Sequence, residues 1–119
     1  MKTILVVDDD NLNLNNAMKI LSPAYKVIPV KSGKMALDCL EKNIPDLILL
    51  DVLMPEMDGF EVMRKIRANS DWVGIPVIFL TADVSPNTCE KGGALGAAGF
   101  MAKPLEAASM IAGVEAVIG

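Results

Sequence analysis

Short apolar runs alternate with amphipathic stretches five times along this chain, with only brief turns between them, and that alternation restricts the fold more than any other feature. Four or five consecutive apolar residues are too few for a buried helix and read as a strand. Apolar residues at i, i+3, i+4 and i+7 read as a helix with one buried stripe. A chain built of such strand–helix units forms an α/β fold, its strands parallel and its helices packed on the faces of the sheet.

The first run, Ile4-Leu5-Val6-Val7, precedes a segment that sets Leu14, Ala17, Met18 and Leu21 on one face and is closed by Pro23. A second strand over about 26–30 leads past Gly33 to a helix over about 34–42, with Ala36, Leu37 and Leu40 on one side and Asn43 and Pro45 at its end. Leu47-Ile48-Leu49-Leu50 is apolar on both faces, as a central parallel strand must be. After the stretch from Asp51 to Gly59 comes a helix carrying Val62, Met63 and Ile66, for which Asp58 and Glu61 have capping-box spacing. The fourth strand runs from Pro76 to Leu80, with its proline at the tolerated first position, and a short fifth strand spans about 99–102. Residues 87–95 read as a poor helix, because Gly92 and Gly93 each cost about 1 kcal/mol relative to alanine, and this segment with Gly96 is expected to be mobile. The last helix, from about Leu105, aligns Ala107, Met110, Ile111, Val114 and Ile118. One domain over 1–119 is expected, with no repeat, linker or low-complexity tract.

A chain that is 52% hydrophobic and 22% charged has enough apolar surface to build a core, unlike a disordered one. Its net charge of −4 argues against a nucleic-acid footprint, which needs clustered Lys and Arg. Only four apolar residues separate Thr3 from Asp8, too few for a signal-peptide core or a membrane span, so a cytoplasmic address is expected and no membrane contact. The absence of histidine excludes Ser-His-Asp hydrolysis, histidine-based zinc sites and phosphotransfer through a histidine of this chain. Cys39 and Cys89 have no pairing or metal-ligand spacing and read as packing or surface thiols. The chemistry is left to carboxylates, hydroxyls and amines.

In open parallel sheets the ligand site lies beyond the carboxyl ends of the strands. Here the first strand is followed by Asp8-Asp9-Asp10, the third by Asp51, the fourth by Thr81-Ala82 and the fifth by Lys103-Pro104, while the second, an expected edge strand, contributes nothing comparable. Each has an ordinary reading: an aspartate after a strand often caps the next helix, a threonine serves a turn, a lysine is solvated. Asp51 resists it, because an acid that directly ends a four-residue apolar strand is costly to bury unless paired or metal-bound. Three carboxylates brought together repel one another and raise their own pKa values unless a cation sits among them. Mg²⁺ suits such a set, since it takes oxygen ligands from one or two carboxylates, keeps waters and completes its shell with phosphate oxygens.

These residues carry a family resemblance over essentially all 119 positions. Val6-Val7-Asp8-Asp9, the segment D-V-L-M-P-E-M-D-G from Asp51 to Gly59, Thr81-Ala82, and Gly99-Phe100-Met101-Ala102-Lys103-Pro104 resemble the receiver domain of two-component response regulators. The resemblance implies a flavodoxin-like (βα)5 doubly wound sandwich with its five parallel strands in the order 2-1-3-4-5. It implies that Asp51 accepts a phosphoryl group from a histidine kinase, a histidine phosphotransfer protein or a small phosphodonor. Asp9, Asp51 and the backbone carbonyl of Leu53 would hold Mg²⁺, with Asp8 reaching the ion through water. Thr81 and Lys103 would bind phosphoryl oxygens, and Thr81 moving toward the phosphate would let Phe100 turn inward as a switch. A cis bond before Pro104 is also implied. Leu53 and Asp83, two residues past site residues, would flank the approach of the hydrolytic water.

Two departures stand out: the glycines of the fourth helix, and a last helix with Glu106 and Glu115 but no Lys or Arg, which suits a homodimer or partner face or the contact to an output domain. Other functions fit the sequence less well. An aspartyl-phosphate phosphohydrolase usually has a second acid where Leu53 stands, and a flavodoxin-like module would carry a phosphate loop of Ser, Thr and Gly where Asp8 to Asp10 stand. A receiver-like binding module that works without phosphorylation would not need Asp8, Asp9, Asp51, Thr81 and Lys103 together. The expected activity is that of a phosphoacceptor, with no turnover of a diffusible substrate. The expected output is a downstream protein target, or a domain joined to this one in a longer chain.

Overall fold

Strand and helix alternate without exception in the computed structural model, which describes residues 1–119. The order is β1 (Thr3–Val7), α1 (Asn11–Leu21), β2 (Lys26–Val30), α2 (Gly33–Leu40), β3 (Leu47–Asp51), α3 (Gly59–Ala68), β4 (Val77–Thr81), α4 (Pro86–Ala94), β5 (Gly99–Ala102) and α5 (Ala107–Ile118). All five strands are parallel, in the order β2-β1-β3-β4-β5, so the chain reverses its direction of travel after β2 and leaves a crevice beyond the ends of β1 and β3. Pro29 lies in β2, an edge strand, where a missing N–H does least harm to the ladder.

Alternate side chains of a strand point to opposite faces, and both faces are covered here. Leu5, Val7, Ile48, Leu50, Val77 and Phe79 meet Ala36 and Leu40 of α2 and Phe60, Met63 and Ile66 of α3 on one side. Ile4, Val6, Leu47, Leu49, Ile78 and Leu80 meet Leu14, Ala17 and Leu21 of α1 and Met110 and Val114 of α5 on the other. Every residue of β3 and β4 is buried, which is why these runs are apolar without alternation. Each large aliphatic side chain fully buried there contributes about 1.5–3 kcal/mol.

The helix starts follow local chemistry. Asp10, Ser32, Asp58 and Ser85 each accept a backbone N–H from the first turn of the helix that follows. At α3 the Asp58 carboxylate accepts from the Glu61 N–H at 2.9 Å, the first half of the capping box that the spacing suggested.

Two elements differ from the sequence reading in an informative way. The buried stripe of α5 is Met110 and Val114 with half-buried Gly113, Val117 and Ile118, whereas Ala107 and Ile111 face outward, Ile111 being 37% exposed. Gly113 lies on the inward side, where a Cβ would stand 2.6 Å from Met101 Cε, so this face of the helix approaches β5 closely. Helix α4 runs unbroken through Gly92 and Gly93, and Gly92 has a packing reason to lack a side chain. A Cβ there would lie 2.7 Å from Phe100 Cζ and 3.1 Å from Phe79 Cδ2, whose rings stack at 5.8 Å and 25°.

Arg67, at the end of α3, ties three segments together. Its guanidinium donates to the carbonyls of Val73 and Ile75 before β4 at 2.8 and 3.0 Å, and to those of Leu95 and Gly96 after α4 at 3.3 and 3.2 Å. Desolvation lowers its pKa from the usual arginine value, the mark of a partly buried charge held by carbonyl dipoles. Arg67→Gln, too short to span these segments, is expected to lower the unfolding free energy by about 2 kcal/mol in urea titrations. A variant within 0.5 kcal/mol of the parent, roughly the scatter of neutral surface changes, would show the staple to be redundant.

Candidate functional site

The polar residues at the strand ends come together around the carboxylates of Asp8 and Asp51. Asp8 follows β1, its N–H donating to Val30 O at 3.1 Å, so the end of β2 fixes its backbone. Its Oδ1 accepts the Asp10 N–H at 2.9 Å, and Asp10 in turn caps α1 by accepting the Leu12 N–H at 2.8 Å. Asp10 is therefore a helix cap, while Asp8 and Asp9 face the crevice cluster. Asp51 ends β3, held in register with Leu80 of β4. Lys103 follows β5, its N–H donating to Thr81 O at 2.9 Å, and the Lys103–Pro104 bond is cis.

Asp8 is 0% exposed and Asp51 3%, yet the Lys103 amine reaches both, 2.9 Å from Asp8 Oδ2 and 3.1 Å from Asp51 Oδ1. Asp8 Oδ2 has this charge contact but no partner in hydrogen-bond geometry, so a buried carboxylate oxygen keeps unused acceptor capacity. Oxygens of Asp8, Asp9 and Asp51 lie within 4.8 Å of one another, and Asp9 is exposed, so the cluster opens to solvent on its side. Burial raises the Asp51 pKa to about 6, the Asp8 charge adds to the rise, and Lys103 opposes it. Burial alone would push the Lys103 amine down, but the Asp8 and Asp51 carboxylates more than offset this and hold it above the usual lysine range.

Three acids against one lysine leave two negative charges in a half-buried crevice, together with an oxygen whose one charge contact is poorly aligned for a hydrogen bond. That donor set fits a small hard dication that accepts carboxylate oxygens and retains waters, the habit of Mg²⁺. It fits a soft metal poorly, since neither histidine nor cysteine is present.

Thr81 ends β4 and is 2% exposed. Its hydroxyl donates to Asp83 O at 3.1 Å and accepts the Asp83 N–H at 2.9 Å, so it is bound to the loop before α4. Phe100 is half-buried against Phe79 and Gly92. Leu53 lies in the loop after β3 and is 71% exposed. The Asp83 carboxylate is committed to α4, accepting the Ser85 N–H and the Thr88 hydroxyl.

Ser85 and Thr88 escaped the sequence reading, and Gly92 was noted there only as a weakness of the helix. Ser85-Pro86 followed by Thr88 is a helix-start pattern visible in the sequence, because proline suits the first helical position. Glu56 carries no such signal: its φ of 68° sits in a tight turn closed by the Met57 N–H donating to Pro55 O at 2.8 Å, and nothing in the sequence marks a glutamate for that conformation.

Comparison with known proteins agrees with this geometry. The family model described as the response regulator receiver domain matches residues 4–115. A probable cyclic di-GMP phosphodiesterase of Vibrio cholerae is 42% identical over 103 residues, 87% of this chain. The chain spans only 23% of that relative's length. The crystallised chemotaxis protein CheY4 of Vibrio cholerae matches 98% of both chains with a TM-score of 0.94 and 31% identity. The receiver domain of the sensor histidine kinase PA1611 from Pseudomonas aeruginosa, solved with a magnesium ion coordinated in its active site cleft, matches 99% of this chain and 98% of its own with a TM-score of 0.89 and 31% identity.

Proposed function

Because this chain belongs to the response regulator receiver domains of two-component signalling, we propose that Asp51 is its phosphoacceptor. The family binds Mg²⁺ at an acidic pocket and works with histidine kinases and output domains. The observation that carries the assignment is the Lys103 amine reaching both Asp51 and Asp8 beside a three-carboxylate cluster, all at the strand ends. Asp51 is the acid among them that ends a central strand, and the opening on the Asp9 side leaves it an approach from solvent.

In this reading the Asp51 carboxylate attacks phosphorus, and the bond from phosphorus to the donor's imidazole nitrogen or acyl oxygen breaks. The donor group leaves with that electron pair. Asp9, Asp51 and the Leu53 carbonyl would hold Mg²⁺, with Asp8 ordering its water. When bound, the ion supplies positive charge against the phosphoryl oxygens, the main requirement of a transfer governed by positioning and electrostatics. Lys103 neutralises a further oxygen and loses none of its charge at neutral pH. The Thr81 hydroxyl donates to another once released from Asp83, and Phe100 follows the change on the same side of the sheet. Leu53, exposed in the loop after β3, flanks the approach of water to the aspartyl phosphate.

The partners in this reading are a histidine kinase or histidine phosphotransfer protein on the donor side, and a target or output domain on the other, with no direct contact to nucleic acid. The outward face of α5, with Ala107, Ala108, Ile111 and Ala112 and no basic residue, belongs to the output or self-association surface. No helix is long and apolar enough to cross a membrane. The reading places the domain in the cytoplasm with the kinase's phosphohistidine, as a phosphoacceptor with no diffusible substrate to turn over.

Acetyl phosphate with Mg²⁺ is expected to add one phosphoryl mass to the intact protein, and none to Asp51→Asn or to samples in excess chelator. Undiminished labelling of the Asn variant would place the acceptor elsewhere, and steady release of inorganic phosphate from added monoesters would favour a hydrolase.

A further inference from the structure

The hydroxyl that must reach the phosphoryl group is already in use. Thr81 has one hydroxyl proton, directed at Asp83 O, and its oxygen accepts the Asp83 N–H. To donate to a phosphoryl oxygen on Asp51 it must give up the first bond, and rotating away also strands the Asp83 amide unless the loop moves with it. That loop is tied to α4. The Asp83 carboxylate accepts the Ser85 N–H at 2.9 Å through Oδ1 and the Thr88 hydroxyl at 2.8 Å through Oδ2, both at the start of α4. The Ser85 hydroxyl contacts Thr88 Oγ1 at 3.4 Å and accepts its N–H at 3.5 Å, closing a small ring of bonds. Bonds from Ser85 and then Thr88 hold the Asp83 carboxyl below the usual range, so it is the charged and stronger acceptor that clasps the helix.

We propose that Asp83 is a positioning residue that acts through Thr81, its carboxylate latching the β4–α4 loop to Thr88 so that the Thr81 hydroxyl is held back from the phosphoryl site. The proposal rests on the reading of Asp51 as phosphoacceptor and adds a chain-specific brake to it. Phosphoryl docking draws Thr81 away from Asp83, and the latch resists. Loosening the latch therefore favours the phosphorylated arrangement, and it frees the first turn of α4 as it does so.

The test is calorimetric titration of the full chain with beryllofluoride, a phosphoryl mimic, at fixed Mg²⁺. Thr88→Val keeps shape and removes the hydroxyl, and is expected to bind the mimic roughly 3–10-fold more tightly than the parent, the worth of about one hydrogen bond. Thr88→Ser, which keeps the hydroxyl, should match the parent. In a Thr81→Val background the Thr88→Val gain should vanish, because no hydroxyl remains to be held back. Equal or weaker binding by Thr88→Val, or the same gain in both backgrounds, overturns the proposal. In the parent, amide exchange at Ser85 and Thr88 should quicken when the mimic binds, and unchanged exchange there overturns it too. Failure of the parent itself to bind beryllofluoride with Mg²⁺ would instead sink the Asp51 assignment, and the latch with it.

Discussion

Asp51→Asn is expected to make the metal-free protein more stable at pH 7.5 by about 2–3 kcal/mol. The Asp51 carboxyl, raised to about 6 by burial and by Asp8 against the opposing pull of Lys103, favours its proton in the folded chain, whereas the unfolded chain ionises near 3.8. A group raised in this way stabilises the fold fully below the unfolded value, and the contribution is lost as pH rises through 6. The rise from 3.8 to about 6 corresponds to about 3 kcal/mol. Asparagine is uncharged at every pH, so the variant avoids the cost that the ionised aspartate imposes above pH 6. Metal-free parent should accordingly gain stability between pH 7 and pH 4 relative to the variant, and the two should converge toward pH 4. Mg²⁺ should reverse the order at neutral pH, because an ion that binds only the folded, ionised site stabilises it by mass action. Melting curves of both proteins with excess chelator and with Mg²⁺ measure this. A metal-free variant no more stable than the parent at pH 7.5 would mean that Asp51 bears no such strain.

Gly59→Ala should destabilise the fold instead, for a steric reason. A Cβ at this first residue of α3 would stand 2.2 Å from the Asp51 carbonyl oxygen and 2.9 Å from Val52 Cα. Both are backbone atoms and neither can rotate aside. The Gly59 N–H also donates to Val52 O at 2.8 Å, so the helix start is drawn against the strand end that carries Asp51. The helix-propensity gain of alanine, under about 1 kcal/mol, cannot offset a backbone collision that costs about 3–4 kcal/mol and shifts the loop after β3. Gly74→Ala is the control, since a Cβ there meets nothing within 4 Å, and it should stay within about 0.5 kcal/mol of the parent. Urea titrations of the pair test the argument. Equal stability of the two variants would show that the β3–α3 junction yields more readily than its contacts imply. Because the same junction carries Asp51, Gly59→Ala should also slow labelling by acetyl phosphate.

The Asp58-Gly59 pair shows how sequence and structure divide the work. Asp58 was legible as a cap from its spacing to Glu61, but the need for glycine next to it follows only from the nearness of β3. The strands were legible for a similar local reason: Leu47 to Leu50 has no polar residue because both faces are covered, and a parallel sheet is what covers both faces. Asp8, Asp51, Thr81 and Lys103 could be picked out because each is the first polar residue after an apolar run, and parallel strands bring all such positions to one edge.

Contacts between distant segments left no comparable trace. Gly92 looked like a defect of α4 until Phe100, on the neighbouring strand, filled the space its missing side chain leaves. Arg67 looked like one more charge in the last turn of a helix, yet it holds carbonyls from two loops. The outward turn of Ile111 goes with the close approach of Gly113 to Met101, and the bonds of Thr81 lead through Asp83 to Thr88. Hydrophobic periodicity, caps and strand-end polarity are written within a few residues of one another, so the chain alone determined its strands, its helices and the side that carries the chemistry. The rotation of each helix, the fit of each ring and the partner of each buried hydroxyl depend on which atoms meet across the sheet, and only the packed tertiary structure decided those.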